Sequence, residues 1–147
     1  MSQLKSVLSN KALIIAIIAW FIAQFFKFTI TAVKKRKFDF TLLVSTGGFP
    51  SSHTAIVSAL VTSIGLNFGL GSPFFAISVV MALVVISDAR GIRRAAGKQA
   101  QILNKIVNDL YQKRGLKIER LRELLGHTSF EVFSGVILGI FIALLLN

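Results

Sequence analysis

The chain has 147 residues, the length of one domain, and 54% of them are hydrophobic, giving a mean hydropathy of +0.72. The apolar residues fall in long blocks, which excludes an ordinary soluble core and points to a membrane protein. The excess charge of +11 is confined to the segments between blocks, so it fits an anionic membrane face better than nucleic acid, and the lack of cysteine excludes disulfides, thiolate nucleophiles and cysteine metal sites.

The first apolar block, residues 12–33, is long enough to cross a hydrocarbon core of about 30 Å at about 1.5 Å per residue. It is interrupted by Gln24 and Lys27 and runs into Lys34-Lys35-Arg36-Lys37 without a small-x-small cleavage site, so a membrane span is expected there and not a signal peptide. Gln24, Lys27 and Thr31 are spaced three and four apart and share one helical face. An ionisable residue at that depth either serves a polar site or snorkels to the basic interface nearby, and position alone does not choose.

A short basic loop, residues 34–40, leads to Thr46-Gly47-Gly48-Phe49-Pro50-Ser51-Ser52-His53-Thr54-Ala55. Two glycines permit tight backbone and close approach to a ligand, Pro50 is placed to pre-set the first helical turn, and two hydroxyls and an imidazole follow. A helix N-terminus of this kind offers N–H groups and a positive dipole end to an anion such as phosphate. A capped turn with an incidental histidine is the plainer alternative.

The second span is expected over residues 52–70, an uncharged turn over 67–73, and a short third span over 74–86 that ends at Ser87-Asp88. Residues 88–126 form a long polar segment. Within it Ile92, Ala95, Ala96, Gln99, Leu103, Ile106 and Leu110 recur at helical spacing with Arg93, Arg94, Lys98 and Lys105 largely off that face, the pattern of a basic amphipathic helix at a membrane surface. A second short helix carries Leu121, Leu124 and Leu125 and stops at Gly126, and the last span covers 129–146.

The fold expected is therefore all-α, a single polytopic bundle of about four spans with a surface helix. Four spans place the 34–40 loop and the 88–126 segment on one side and both termini on the other. Fourteen of the seventeen Lys and Arg residues lie in those two segments, which makes that side cytoplasmic and the host the cell membrane. The glycine-rich stretch, Asp88, the arginines after it and His127 gather at the same face.

Each of the two histidines sits at the entry of a span on that face. Phosphoryl transfer through a covalent intermediate needs a nucleophile and a proton donor for the leaving oxygen, tasks that two histidines suit. Lys27, Arg93, Arg94 and the helix start at Ser51 and Ser52 would meet the phosphoryl charge. Glu131, four residues after His127, would orient the imidazole; alternatively Thr128-Ser129-Phe130-Glu131 is a capping box, and Arg93 and Arg94 simply hold lipid headgroups.

Pro50-Ser51-Ser52-His53 resembles the PSGH motif of the type 2 phosphatidic acid phosphatase superfamily, which includes vanadium haloperoxidases. Lys27 followed by Lys34-Lys35 is similar to its first motif, KxxxxxxRP, and His127-x-x-x-Glu131 to the HxxxD that closes its third. The longer patterns Ser45 to His53, Asp88-Ala89-Arg90-Gly91-Ile92-Arg93-Arg94 and Glu123-Leu124-Leu125-Gly126-His127-Thr128 resemble most closely the divergent branch, a family of small bacterial and plant membrane proteins.

The resemblance implies a lipid phosphate phosphatase that works without a metal or other cofactor. It makes His127 the phosphohistidine nucleophile, His53 the general acid and Glu131 the residue that orients His127, with Asp88 grouped among the catalytic residues. Lys27, Ser51, Ser52, Arg90, Arg93 and Arg94 would bind the phosphate. The chain departs from the superfamily pattern at Ser52 for glycine, at Glu131 for aspartate, and at Leu121, where an arginine is expected, so that Arg120, Arg122 or the Arg90–Arg94 cluster must supply that charge. About four spans stand in place of six. A lipid phosphate is the expected partner and a homodimer is plausible, and the rival functions are a non-catalytic binder of anionic lipid or a small transporter.

Overall fold

The computed structural model describes residues 2–35, 48–111 and 127–147. Within them lie six helices and no strand: α1 (Ser2–Leu8), α2 (Lys11–Lys35), α3 (Ser52–Phe68), α4 (Pro73–Arg90), α5 (Ile92–Tyr111) and α6 (Ser129–Leu146). The protein is an all-α membrane bundle in which α2, α4 and α6 are long and apolar enough to cross a bilayer, while α3 is apolar but shorter, at 17 residues. The loop after α2 (36–47) and the segment with the expected second short helix (112–126) lie outside the described residues, as does the side chain of Leu110.

Local chemistry sets the helix ends. Asn10 caps α2, its side-chain oxygen accepting from Leu13 N–H at 3.1 Å. Pro50 does not open α3 as its position promised: Ser51 is the N-cap, with Pro50 one residue outside it. The role of a proline in the first turn falls instead to Pro73 in α4, behind Ser72, whose hydroxyl accepts from Phe75 N–H at 3.2 Å. The third span is longer than its apolar run, because Ser87, Asp88, Ala89 and Arg90 continue the helix until Gly91, whose N–H donates to Ser87 O at 2.8 Å. Polarity ends an apolar block, but it does not end a helix.

The helix α3 is the centre, touching α2, α4 and α6. It runs parallel to α6: Ser51 N–H donates to Glu131 O at 3.0 Å at one end, and Ser63 Oγ donates to Asn147 Oδ1 at 2.9 Å at the other. The helices α2 and α4 also pack on α6 and make no contact with one another. The termini face the end away from the histidines, where Lys11 Nζ, Ser63, Asn67 and Asn147 form a polar knot.

The seam between α3 and α6 is made of residues with little or no side chain. A Cβ on Gly135 would overlap Thr54 Oγ1 and the Ser51 carbonyl oxygen, and one on Gly139 would overlap the Ala55 carbonyl oxygen and come within 2.9 Å of Ala59 N. Ala19, Ala23, Ala55, Ala59 and Ala143 are completely buried, whereas the bulky side chains Phe21, Phe25, Val80, Val84, Phe133 and Leu145 point outward. In a bilayer, oil-like tails satisfy the large side chains, so helices associate through close backbone approach at small residues. The Gly135-x-x-x-Gly139 spacing carries this arrangement.

The helix α5 follows α4 directly and touches no other described element. Leu103 and Ile106 of its expected apolar stripe are exposed, as is Ile102 beside them, while Gly97 and Asn104 are the buried positions. No other described element covers Leu103 and Ile106.

Candidate functional site

At the end of the bundle opposite the termini, four segments meet. The last third of α2 brings Lys27, the turn before α3 brings Gly48, the start of α3 brings Ser51, Ser52 and His53, and the start of α6 brings His127 and Glu131. The end of α4 joins them through its backbone, the Ala89 carbonyl accepting from His127 N–H at 3.1 Å.

Lys27 is 3% exposed and Gln24, on the same face, 7%. The lysine therefore does not snorkel; it lies inside the bundle, within electrostatic range of the Glu131 carboxylate. Gly48 covers its stem. With φ of +96°, Gly48 occupies backbone space that L side chains rarely adopt, and a Cβ there would sit 3.0 Å from Lys27 Cδ. Thr31, the third polar residue of that stripe, turns back on its own helix, its hydroxyl donating to Lys27 O at 2.8 Å.

Ser51 is completely buried and Ser52 nearly so. Ser51 Oγ accepts from Thr54 N–H at 3.5 Å, which still leaves its own O–H as a donor. Thr54 Oγ1 lies 3.1 Å from both the Ser51 and the Val132 carbonyl oxygens, so its hydroxyl rivets the start of α3 to the first turn of α6.

The two imidazole rings stand with centroids 6.0 Å apart and planes inclined at 62°. His127 is 2% exposed and His53 half-buried. Glu131 resolves the choice between capping and orienting by doing both. Its Oε2 accepts from Thr128 N–H at 2.9 Å while Thr128 Oγ1 accepts from Glu131 N–H at 3.3 Å, a complete capping box. The same Oε2 lies 3.3 Å from His127 Nδ1.

The remaining expected residues sit further out. Asp88 is half-buried at the end of α4, one residue before the carbonyl that holds His127, and Arg90 is exposed at the last position of that helix. Arg93 and Arg94 fall in the first turn of α5 with side chains outside the described ones, and Arg120, Leu121 and Arg122 lie outside the described residues. No group of three His, Asp or Glu side chains placed to hold a metal ion occurs among the described residues.

Sequence reasoning overlooked Thr54, Gly135 and Gly139. The small-x-x-x-small spacing in α6 was a legible signal for the glycines. Nothing in one sequence marks Thr54 as the residue that bridges two helices.

A buried lysine, two serines at a helix start and a histidine pair with one ring beside a carboxylate thus gather at one end of a membrane bundle. The model of the divergent PAP2 family matches residues 8–142, which takes in every element of this site. The chain belongs to that family. It is also 41% identical over 150 residues to the uncharacterized membrane protein YuiD of Bacillus subtilis (strain 168), covering 95% of each chain. No solved structure matches. Within this divergent PAP2 protein, Lys27, Ser51, Ser52, His53, His127 and Glu131 are brought to one end of the bundle from three separate stretches of chain.

Proposed function

We propose that this divergent PAP2 protein is a lipid phosphate phosphatase that works through a phosphohistidine. The observation that carries the reading is the histidine pair: two imidazoles with centroids 6.0 Å apart, one of them oriented by a carboxylate on Nδ1. In-line displacement needs the nucleophile and the leaving-group acid on opposite sides of phosphorus, and two separate helix starts supply such sides.

With Nδ1 turned to Glu131, attack comes from His127 Nε2. The N–P bond forms as the bond between phosphorus and the lipid oxygen breaks, and His53 gives its proton to that oxygen. The lipid alcohol leaves. Water then enters; His53 takes its proton, the oxygen attacks phosphorus, and the N–P bond breaks to release inorganic phosphate. Glu131 steadies the imidazolium that forms on His127 when it is phosphorylated. Lys27, Ser51, Ser52 and the positive dipole end of α3 stabilise the equatorial oxygens. Arg90, Arg93 and Arg94 add positive charge for the phosphate, and Asp88, at the end of α4, is grouped with the catalytic residues. The balance of basic residues supports a cytoplasmic orientation for this face and the cell membrane as the host.

The test is release of inorganic phosphate from lipid phosphates by the purified full chain. Activity expected of this scheme survives EDTA, is inhibited by vanadate and is lost in His127→Ala together with any acid-labile phosphoenzyme. Activity lost in EDTA and restored by Mg²⁺ replaces the scheme with metal-assisted hydrolysis. Retained vesicle binding without phosphate release by any substrate leaves a non-catalytic lipid binder.

A further inference from the structure

An apolar groove of about 430 Å³ runs beside the polar site. Its walls come from Phe26 of α2, Phe49 and Pro50 of the turn before α3, and Phe130, Phe133 and Ile137 of α6. Its volume lies within the roughly 300–1,000 Å³ of ordinary ligand pockets. A second, smaller groove of about 200 Å³ lies between α3, α4 and α6, lined by Val61, Val79, Leu83 and Ile140 among others and by none of the polar-site residues.

The groove is continuous with the site through the chain itself. Phe26 precedes Lys27, Pro50 precedes Ser51, and Phe130 precedes Glu131, so three wall residues are each followed by a site residue. Phe49 and Phe130 stack at that junction, with ring centroids 5.4 Å apart and planes 13° from parallel. Among the described lining residues the one hydroxyl, on Ser134, donates to Glu131 O at 2.9 Å. The lining is thus hydrocarbon up to the point where phosphate would bind.

That polarity profile discriminates between lipid classes. A phosphatidate carries two ester groups within a few bonds of its phosphate, and their carbonyls would lie against the stacked phenyl rings. A polar group moved there without a partner costs about 1–3 kcal/mol. A lipid whose hydrocarbon begins at the phosphate ester oxygen brings no such group, and it has one chain for one groove.

Resting on the phosphatase reading above, we propose that the groove holds the single hydrocarbon chain of a lipid phosphate esterified directly to a long-chain alcohol, of the prenyl phosphate type. The chain lies along α6 past Phe133 and Ile137, and Phe49 and Phe130 clamp its first carbons so that the phosphate is delivered to His127. These four residues set which lipid is used and take no part in the chemistry.

Two measurements test this. The first needs no turnover: a farnesyl phosphate analogue with a diazirine on its chain is photolysed with the full chain in phosphatidylcholine vesicles, and the labelled peptides are mapped. Label concentrated on residues 130–141 and displaced at least tenfold better by farnesyl phosphate than by dioctanoyl phosphatidate is expected. Label spread equally over the exposed α4 face, or equal displacement by the two lipids, overturns the proposal whether or not the protein is a phosphatase. The second compares kcat/KM for farnesyl phosphate with that for the tail-less para-nitrophenyl phosphate. Ile137→Trp, which fills the groove, and Phe133→Ala, which widens it, are each expected to lower that ratio at least tenfold in protein with an unchanged melting temperature. A ratio unmoved in both variants overturns the proposal, whereas no hydrolysis of either substrate by the unmodified chain sinks the phosphatase reading and leaves the labelling result to judge the groove.

Discussion

Glu131 Oε2 lies 3.3 Å from His127 Nδ1 and at the same time holds Thr128 N–H at 2.9 Å. One oxygen thus fixes both the start of α6 and the orientation of the imidazole immediately before it. The two roles separate on substitution. Glu131→Gln keeps an acceptor for Thr128 N–H but carries no charge to steady an imidazolium, so kcat is expected to fall about 10²-fold or more with the melting temperature nearly unchanged. Glu131→Ala loses the cap as well and should cost about 1 kcal/mol of stability in addition. Near-normal turnover in Glu131→Gln would leave the residue a cap and nothing else.

The histidine pair predicts an asymmetry between substrates. His53→Ala should slow lipid phosphates strongly, since an alkoxide needs a proton to leave, and slow an activated aryl phosphate much less. His127→Ala should abolish both reactions. Because one ring acts unprotonated and the other protonated, the unmodified chain should show a bell-shaped dependence of kcat/KM on pH, and His53→Ala should flatten its alkaline limb for the aryl substrate. A labelled phosphoenzyme persisting in His127→Ala would move the nucleophile elsewhere.

Lys27 is buried under Gly48, and its loss should be felt as lost anion affinity. Lys27→Met keeps the length and apolar stem of the side chain and removes the charge. Vanadate inhibition is expected to weaken at least tenfold, as befits a charge-assisted contact of about 1.5–3 kcal/mol. Inhibition by vanadate that is unaffected in this variant would take Lys27 out of the phosphate cradle.

Gly135 has no room for a methyl group, so Gly135→Ala must push α3 and α6 apart. A loss of about 1–3 kcal/mol or more is expected, read as a lower melting temperature in detergent, along with a loss of activity out of proportion to the stability change. Gly71→Ala is the control, because a Cβ there meets nothing within 4 Å. It should change stability by no more than about 0.5 kcal/mol. Equal melting temperatures for the two variants would contradict the backbone seam.

Orientation can be read from single cysteines, since the chain has none of its own. Arg90→Cys, at the histidine end, should resist an impermeant thiol reagent in intact cells, and Gly71→Cys, at the opposite end, should react. The reverse pattern would place the site outside.

The apolar blocks, their order and the meeting of the two histidines at one end of the bundle were legible in the sequence, because hydrophobic length and the alternation of spans act over whole segments. Helix ends were less so. Asp88 and Arg90 read as the start of the polar segment beyond the third span, yet they continue that span's helix to Gly91, since backbone hydrogen bonding does not depend on side-chain polarity. Pro50 read as a first-turn residue and lies just outside the cap. The closeness of α3 and α6 depends on which face of each helix carries its small residues, and this becomes meaningful only once the two helices are known to be partners. For Glu131, the sequence posed two exclusive options where the geometry lets a single oxygen serve both.

The glycine seam has a further consequence. His53 and His127 sit at the mouths of two helices whose backbones touch a turn or two further in, so the gap between the imidazoles is gauged from below, by the membrane-buried part of the molecule. On the phosphatase reading, a preparation that is folded but in which the two helices have parted, as in a slack detergent micelle, would have its reacting groups out of gauge.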